Sequence, residues 1–103
     1  MYEVRTTQEF DDWLDNLRNR TAVLRIAARI DRVEQGNFGD TKLITNEISE
    51  LRFFFGSGYR VYYTIKEKVI ILLLNGGDKS SQKKDIKLAK NILDQISGEN
   101  DEE

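Results

Sequence analysis

The sequence contains no cysteine and no histidine. Without cysteine the chain can form no disulfide and has no thiolate nucleophile, and without both residue types it lacks the usual ligands of zinc. The absence of histidine also removes the side chain that most often performs acid–base catalysis near neutral pH. Any acid–base chemistry must therefore use arginine, lysine, tyrosine or carboxylate groups.

The chain also lacks a long apolar run. Its longest apolar stretch, Val69–Leu74, is far shorter than the roughly 18 residues that indicate a transmembrane helix, and the N-terminus shows no signal or transit peptide pattern. A length of 103 residues predicts one domain, which we assign to residues 1–98. Residues 99–103 form an acidic tail that we expect to be disordered.

Charge is unevenly distributed along the chain. The net charge is −2, but residues 51–98 contain nine Lys and Arg against four Asp and Glu. Local positive charge attracts phosphate groups even when the whole chain is acidic. The C-terminal half is therefore a candidate nucleic-acid-binding surface, although solvation of helix and strand surfaces also accounts for these residues.

Three strand-like runs form the centre of the sequence, because they are rich in aromatic and β-branched residues. They are Ile48–Phe55, Tyr59–Lys66 and Lys68–Leu74. Gly56 and Gly58 predict a tight turn with positive φ between the first two runs, and a short polar turn near Glu67 separates the last two. The third run is apolar on both faces, so we expect a central strand that is covered on both sides.

Helical patterns flank these strands. After a short strand at Tyr2–Arg5, Thr6 and Glu9 have the spacing of a capping box that opens a first helix. A second helix is predicted to run to about Gln35 and a last helix from Ser80 to Ser97. The predicted fold class is α+β, with an N-terminal strand and a helical hairpin packed on a mainly antiparallel, four- to five-stranded twisted sheet, and a C-terminal helix.

Two further patterns each have a structural and a functional interpretation. Arg25, Arg29 and Arg32 form a stripe on the second helix, which is either a solvated surface paired with acidic neighbours such as Asp31 or Glu34 or a contact for RNA or a partner. The polar segment 75–82, predicted as a loop, begins Asn-Gly-Gly. Two glycines before a helix could seat a phosphate, but the P-loop pattern is missing, so a structural turn is favoured.

Several motifs together carry a resemblance to a known family. They are Glu50-Leu51-Arg52, Gly58-Tyr59-Arg60-Val61-Tyr62-Tyr63, the run 36–40 (GNFGD) and the run 76–86 (GGDKSSQKKDI). With them the chain resembles the RelE/ParE superfamily of bacterial type II toxins, and within it the HigB-like branch of "addiction module killer" proteins. The resemblance spans the whole chain, and it departs from relatives at Ser57, where they often carry proline.

The resemblance implies a bacterial, cytoplasmic toxin without metal or cofactor. Such a toxin is neutralised by a cognate antitoxin, typically a small helix-turn-helix DNA-binding protein, and the complex with the antitoxin sets the oligomeric state. RelE-like members cut mRNA in the ribosomal A site, whereas ParE-like members inhibit DNA gyrase, and a shared fold does not choose between them. We expect a ribosome-dependent mRNA endonuclease; a gyrase inhibitor and a non-toxic, antitoxin-binding relative are the alternatives.

The resemblance also implies candidate catalytic residues. Arg60 matches the superfamily's arginine on the second strand of the meander, and its guanidinium would project toward solvent and clamp a phosphate. Arg52 is a second candidate clamp, and Lys79 lies near the basic residue that relatives carry after the last strand. The structural alternative for Arg60 is an ion pair with a carboxylate such as that of Glu50.

Candidate RNA-binding residues surround these positions. They are Tyr62, Lys66, Gln82, Lys83 and Lys84. Tyr62 shares a strand face with Arg60 and could stack on a base, although packing inside the protein is the simpler interpretation. No general base is evident: Asp40, Glu50 and Asp85 are the possible carboxylates, and the tyrosine that RelE carries in its last helix has no counterpart here.

Overall fold

In a computed structural model, the backbone is described for residues 1–101 and the side chains for residues 1–98. The elements in chain order are β1 (Glu3–Thr6), α1 (Gln8–Asp15), α2 (Arg20–Glu34), β2 (Thr41–Leu43), β3 (Ser49–Arg52), β4 (Arg60–Lys66), β5 (Ile70–Gly77), a 3₁₀ turn (Lys79–Ser81) and α3 (Gln82–Asp101). No described helix has both the length and the apolar character needed to cross a membrane.

The five strands form one mixed sheet in the order β1-β5-β4-β3-β2. β1 runs parallel to β5, and the other neighbours are antiparallel. The predicted mainly antiparallel sheet is therefore confirmed. The third run, which is β5, is an interior strand between β1 and β4, but β4 occupies the middle of the sheet. A bulge between Tyr62 and Tyr63 shifts the register of β4 against β5.

Helices cover both faces of the sheet. The hairpin of α1 and α2 packs Phe10, Ile26 and Val33 against one face, and α3 packs Ala89, Ile92 and Leu93 against the other. β5 contributes to both layers, because Ile71 and Leu73 contact the hairpin while Leu72 and Leu74 contact α3. This alternation explains why the run is apolar at every position.

The two turns of the meander have the predicted positions. Gly56 and Gly58 have φ values of 57° and 75°, which confirms the turn expected from the glycines. The second turn uses Glu67 and Lys68, whose φ values of 55° and 64° are also positive. Two consecutive positive φ values match the twist of a tight antiparallel hairpin. Here two non-glycine residues adopt this left-handed conformation, which is strained for residues that carry a side chain.

Two local predictions were wrong. The first helix is capped by Thr7, whose hydroxyl accepts a hydrogen bond from the N–H of Phe10 at 3.0 Å, because Thr6 is held in β1 opposite Leu73. The start of the predicted loop at 75–77 belongs to β5, with Gly76 opposite Val61.

Packing rather than turn geometry explains the two glycines of β5. A Cβ atom on Gly76 would lie 2.3 Å from the ring of Trp13, and one on Gly77 would lie 1.8 Å from a carboxylate oxygen of Asp85. Both distances are shorter than any contact that a Cβ atom tolerates. The glycines therefore allow one strand to be approached closely from both faces.

The arginine stripe on α2 is not a uniformly solvated surface. Arg29 donates hydrogen bonds to the carbonyls of Phe38, Arg52 and Asp40 at 2.8, 3.0 and 2.7 Å, and its guanidinium lies 4.9 Å from the ring centroid of Phe53. Within residues 1–98 the expected ion pairs of the stripe with acidic neighbours on α2 are absent. Arg29 thus fixes the segment between α2 and β2 onto the helix.

The end of the chain departs slightly from prediction. α3 continues through Asp101, four residues beyond the expected end at Ser97. The predicted disordered tail, residues 99–103, overlaps the last turn of this helix. Residues 102 and 103 lie outside the described part of the chain, so disorder there stays a prediction.

Candidate functional site

The three predicted catalytic residues meet at one corner of the molecule. The β3–β4 register places Arg52 directly opposite Arg60, and Lys79 lies in the 3₁₀ turn before α3. A Cβ atom built on Gly58 would lie 3.4 Å from the Cβ of Lys79 and 3.5 Å from Nη1 of Arg60. We call this group, Arg52, Arg60 and Lys79, the basic corner.

Arg60 does not project freely into solvent as expected. Only 10% of its side chain is exposed, and its Nε lies 3.7 Å from a carboxylate oxygen of Glu50. Nη1 donates to the carbonyls of Gly58 and Tyr59 at 2.9 and 3.2 Å, while Nε is buried and has no hydrogen-bond partner among the described residues. The structural alternative, an ion pair with Glu50, is therefore present, but the pair is incompletely hydrogen-bonded.

Glu50 is the buried carboxylate of the site. It is 1% exposed, and both of its carboxylate oxygens accept from the side-chain amide of Gln82, at 3.2 and 3.1 Å. Gln82, predicted to bind RNA, is thus engaged within the protein, at the first residue of α3. Gln82 and Arg60 are the polar partners that compensate the burial of this carboxylate.

Tyr62 lies in the core beneath α3 rather than on a surface. It is fully buried, and the register places it opposite Glu50 on β3 and Asn75 on β5. Burial, together with the negative charges of Glu50 and Asp85, raises the pKa of Tyr62 well above its usual value. A ring in this position cannot stack on an RNA base, so the conformation seen here does not support that predicted contact.

Glu50, Tyr62 and Asn75 form a buried polar row across three strands. Asn75 donates from Nδ2 to the carbonyl of Asp85 at 2.9 Å, but its Oδ1 and the hydroxyl of Tyr62 have no partner among the described residues. Sequence reasoning missed Asn75 because it was assigned to a loop. Strand alternation would not have found it, because the bulge between Tyr62 and Tyr63 places Asn75 on the same α3 side as Leu74.

Arg52 is the more accessible arginine of the basic corner. It makes a two-pronged ion pair with Asp40, at 3.0 and 3.1 Å, in which the two side chains are 33% and 31% exposed. The Arg52 guanidinium lowers the pKa of the Asp40 carboxyl. The two hydrogen bonds to Asp40 fix the orientation of the Arg52 guanidinium. About one third of the Arg52 side chain stays exposed to solvent.

The remaining predicted RNA-binding lysines separate into two places. Lys79, Lys83 and Lys84 are exposed and line a shallow depression around the start of α3, next to the basic corner. Lys66 is at the other end of β4, about 20 Å from Arg60 along the strand. The structure brings the first group together with the candidate catalytic residues and leaves Lys66 apart.

No cluster of potential metal ligands occurs among the residues whose side chains are described. The basic corner therefore offers guanidinium, ammonium and carboxylate groups as its chemistry. Arg52, Arg60 and Lys79 supply its positive groups, and Glu50 is the carboxylate paired with Arg60. This combination suits charge stabilisation at phosphorus together with proton transfer by a carboxylate.

Comparison with known proteins identifies the family and the fold. A family model described as "Phage derived protein Gp49-like (DUF891)" matches residues 12–94. An uncharacterized protein of Haemophilus influenzae (strain ATCC 51907 / DSM 11121 / KW20 / Rd) is 48% identical over 94 residues, which cover 91% of this chain and 95% of that protein.

Solved structures of RelE toxins have the same architecture. The isolated E. coli RelE toxin matches with a TM-score of 0.63 at 18% identity, over 84% of this chain and 97% of that one. RelE in the intact E. coli RelBE toxin-antitoxin complex matches with 0.59 at 17% identity, over 76% and 96%. The archaeal RelE-RelB complex from Pyrococcus horikoshii OT3 matches with 0.58 at 19% identity, over 76% and 94%.

These matches confirm the RelE-like fold that was expected from the sequence motifs. The more specific HigB-like branch stays a prediction. Since the family model spans most of the chain and the fold agrees, the chain belongs to the phage-derived Gp49-like family and has the fold of RelE toxins.

Proposed function

We propose that this protein is the toxin of a type II toxin–antitoxin system and that it cuts mRNA on the ribosome. The observation that carries the proposal is the Arg60–Glu50 pair beside Arg52 and Lys79. A buried guanidinium with an unpaired Nε next to a buried carboxylate is costly for a small protein. Charged groups held in such environments are concentrated at functional sites.

The proposed reaction is attack of a ribose 2′-OH on the adjacent phosphate. Glu50 takes the proton of the 2′-OH, the new bond from O2′ to phosphorus forms, and the bond from phosphorus to O5′ breaks. Arg52 and Arg60 stabilise the added negative charge on the phosphate oxygens, and the ammonium of Lys79 gives a proton to the leaving O5′. The products are a 2′,3′-cyclic phosphate and a free 5′-OH.

Gln82 has a defined part in this proposal. Its amide holds both oxygens of Glu50, so RNA binding must draw Gln82 away before Glu50 can accept a proton. Lys83 and Lys84, which follow Gln82 on α3, are placed to contact the neighbouring phosphates of the RNA. The partner that we propose is a cognate antitoxin, as in the toxin-antitoxin complexes of RelE, and we expect it to be of the helix-turn-helix type.

The test combines growth arrest with primer extension on cellular mRNA after induction of each variant. Lys79→Ala and Glu50→Gln should reduce mRNA cleavage by about 10²-fold or more, because each removes one proton-transfer or charge-stabilising group. Glu50→Gln leaves the buried guanidinium of Arg60 without its carboxylate, so its result counts only at an unchanged urea midpoint. Lys90→Ala is the control, since Lys90 is an exposed lysine on α3 away from the basic corner. Growth arrest by the wild-type protein with intact mRNA would contradict the proposal.

One observation favours a second function, inhibition of DNA gyrase by binding alone. The side chain of Arg60 is mostly buried, and a protein that only binds its target does not need this guanidinium to reach a phosphate. In that case induction raises DNA-damage signalling while mRNA stays intact, and Glu50→Gln keeps full toxicity. The same induced cultures therefore separate the two functions.

A further inference from the structure

A second basic surface lies between α2 and the chain segment that follows β3. It is a groove of about 400 Å³, lined by Arg25, Ala28, Arg29, Arg32, Asp40, Arg52, Phe53, Phe54 and Phe55. We call it the arginine–phenylalanine groove. Arg52 lies where this groove meets the basic corner, while Arg25 and Arg32 belong to the groove alone.

Three of the arginines lie over phenylalanine rings, and the guanidinium of Arg52 is 5.9 Å from the ring centroid of Phe54. The guanidinium of Arg25 lies 4.9 Å from the ring centroid of Phe55, and that of Arg29 lies 4.9 Å from the ring centroid of Phe53. A guanidinium stacked on a ring keeps its N–H groups directed outward in its own plane. Arg29 uses these groups on backbone carbonyls.

Arg25 and Arg32 keep their donors available. Both are exposed, and neither forms an ion pair within the part of the chain whose side chains are described. Phe54, which lines the same groove beside Arg52, is 80% exposed. Exposed arginine beside an exposed aromatic side chain is the composition that is enriched at protein–protein contacts.

The charge of the groove favours an anionic partner. Four arginines and one aspartate line it, although the chain as a whole has a net charge of −2. Such a local excess attracts an acidic ligand and speeds its association. The groove therefore selects its partner by charge and offers Phe54 as an apolar contact.

A single-stranded RNA fits the groove less well than an acidic peptide. Sites for single-stranded RNA stack successive bases on several open aromatic rings. Here Phe53 is buried, and the ring of Phe55 is covered by Arg25. Phe54 is the mostly exposed ring, at 80%, although the guanidinium of Arg52 lies 5.9 Å from its centroid. One apolar contact flanked by two free guanidinium groups matches a peptide with an apolar side chain between carboxylates.

We propose that the arginine–phenylalanine groove docks an acidic segment of a partner protein. Carboxylates of the segment bind Arg25 and Arg32, and an apolar side chain packs on Phe54. The proposal rests on the proposed function only in naming that partner as the antitoxin. Docking at this groove requires neither Glu50 nor Lys79, so it does not depend on mRNA cleavage.

The test uses the full-length protein and three fluorescent probes. They are a peptide of alternating Glu and Leu, the same peptide with Lys in place of Glu, and a twelve-nucleotide oligouridylate. We expect the acidic peptide to bind, the basic peptide not to bind, and amide NMR shifts on titration to concentrate at residues 25–32 and 52–55. Binding should weaken with added salt.

Three variants test whether the acidic peptide binds at the arginine–phenylalanine groove. Arg32→Glu should weaken binding of the acidic peptide about tenfold, and Phe54→Ala should weaken it by a similar factor. Arg18→Glu makes the same charge change at an exposed arginine between α1 and α2, and it should change binding less than about twofold.

Three outcomes would overturn the proposal: equal binding of the acidic and basic peptides, NMR shifts that concentrate elsewhere, or tighter binding of the oligouridylate in the groove. mRNA cleavage is measured in parallel for the same variants. Cleavage that persists in Arg32→Glu while peptide binding is lost supports both proposals. Peptide binding by a wild-type protein that never cuts mRNA supports the groove and contradicts the endonuclease.

Discussion

Replacement of Tyr62 by phenylalanine should stabilise the protein. The hydroxyl of Tyr62 is buried beneath α3 and has no hydrogen-bond partner among the described residues. A buried, unpaired hydroxyl costs about 1–3 kcal/mol, while the ring itself contributes the packing. Tyr62→Phe removes the hydroxyl and keeps the ring, so we expect the free energy of unfolding to rise by about 1 kcal/mol.

Tyr63 is the matched control, because it is the next residue on β4 and points to the other face of the sheet. Its hydroxyl lies 2.7 Å from the hydroxyl of Thr41, which is also within 3.0 Å of the carbonyl of Glu50. Tyr63→Phe therefore removes a hydrogen bond that is made. We expect the free energy of unfolding to fall by about 0.5–1.5 kcal/mol, the opposite sign to Tyr62→Phe.

Urea unfolding followed by circular dichroism measures both variants. The midpoint should rise for Tyr62→Phe and fall for Tyr63→Phe with an unchanged slope, because neither substitution alters the surface exposed on unfolding. In thermal unfolding the change of about 1 kcal/mol corresponds to a shift of about 4 °C for a domain of this size. If both variants lose stability equally, the hydroxyl of Tyr62 is hydrogen-bonded in solution and the reasoning is refuted.

Three other substitutions test the packing and the ion pairs. Gly76→Ala should destabilise the fold by about 1–3 kcal/mol in urea, because the new Cβ would meet the ring of Trp13. Arg29→Ala should cost about 3 kcal/mol in the same assay, since the carbonyls of Phe38 and Arg52 lose the Arg29 donor and that of Asp40 keeps only the N–H of Arg52. Arg52 lowers the pKa of Asp40 in the folded protein. The Arg52–Asp40 pair therefore stabilises the fold above the ordinary aspartate pKa of about 3.9, and this contribution is lost as the pH falls through the lowered pKa of the folded protein. The stability difference between wild type and Asp40→Asn should therefore be present at neutral pH and disappear in acid.

The meander could be predicted because its signals are local. Alternation of side chains, glycines at the first turn and an apolar run on both faces of β5 each depend on neighbouring residues. The same local logic assigned Gly76 to a turn. Gly76 is in fact paired with Val61 in β5, and a glycine is required there by the ring of Trp13, more than sixty residues earlier in the sequence. No local pattern reports such a contact.

The prediction that the Arg60 side chain is exposed was wrong for a related reason. Strand alternation correctly places Arg60 and Tyr62 on one face of the sheet, and the β3–β4 register adds Glu50 to that face. It does not say whether a helix covers that face. α3 does so, and its first residue, Gln82, reaches Glu50, so groups that the sequence motifs suggest for RNA are largely enclosed. The family's sequence motifs identify the candidate residues, whereas the packing of α3 decides their accessibility.

Because these groups are enclosed, only some substitutions can show whether mRNA cleavage takes place at the basic corner. Arg60→Ala leaves the buried carboxylate of Glu50 without its neighbouring positive charge, and an uncompensated buried charge is strongly destabilising. Loss of toxicity in that variant could therefore arise from unfolding as well as from lost phosphate binding. Lys79 is exposed at the same corner, so its removal leaves the buried pair intact. Loss of cleavage by Lys79→Ala at an unchanged urea midpoint therefore assigns the reaction to the basic corner, and loss of activity by Arg60→Ala with a lowered midpoint does not.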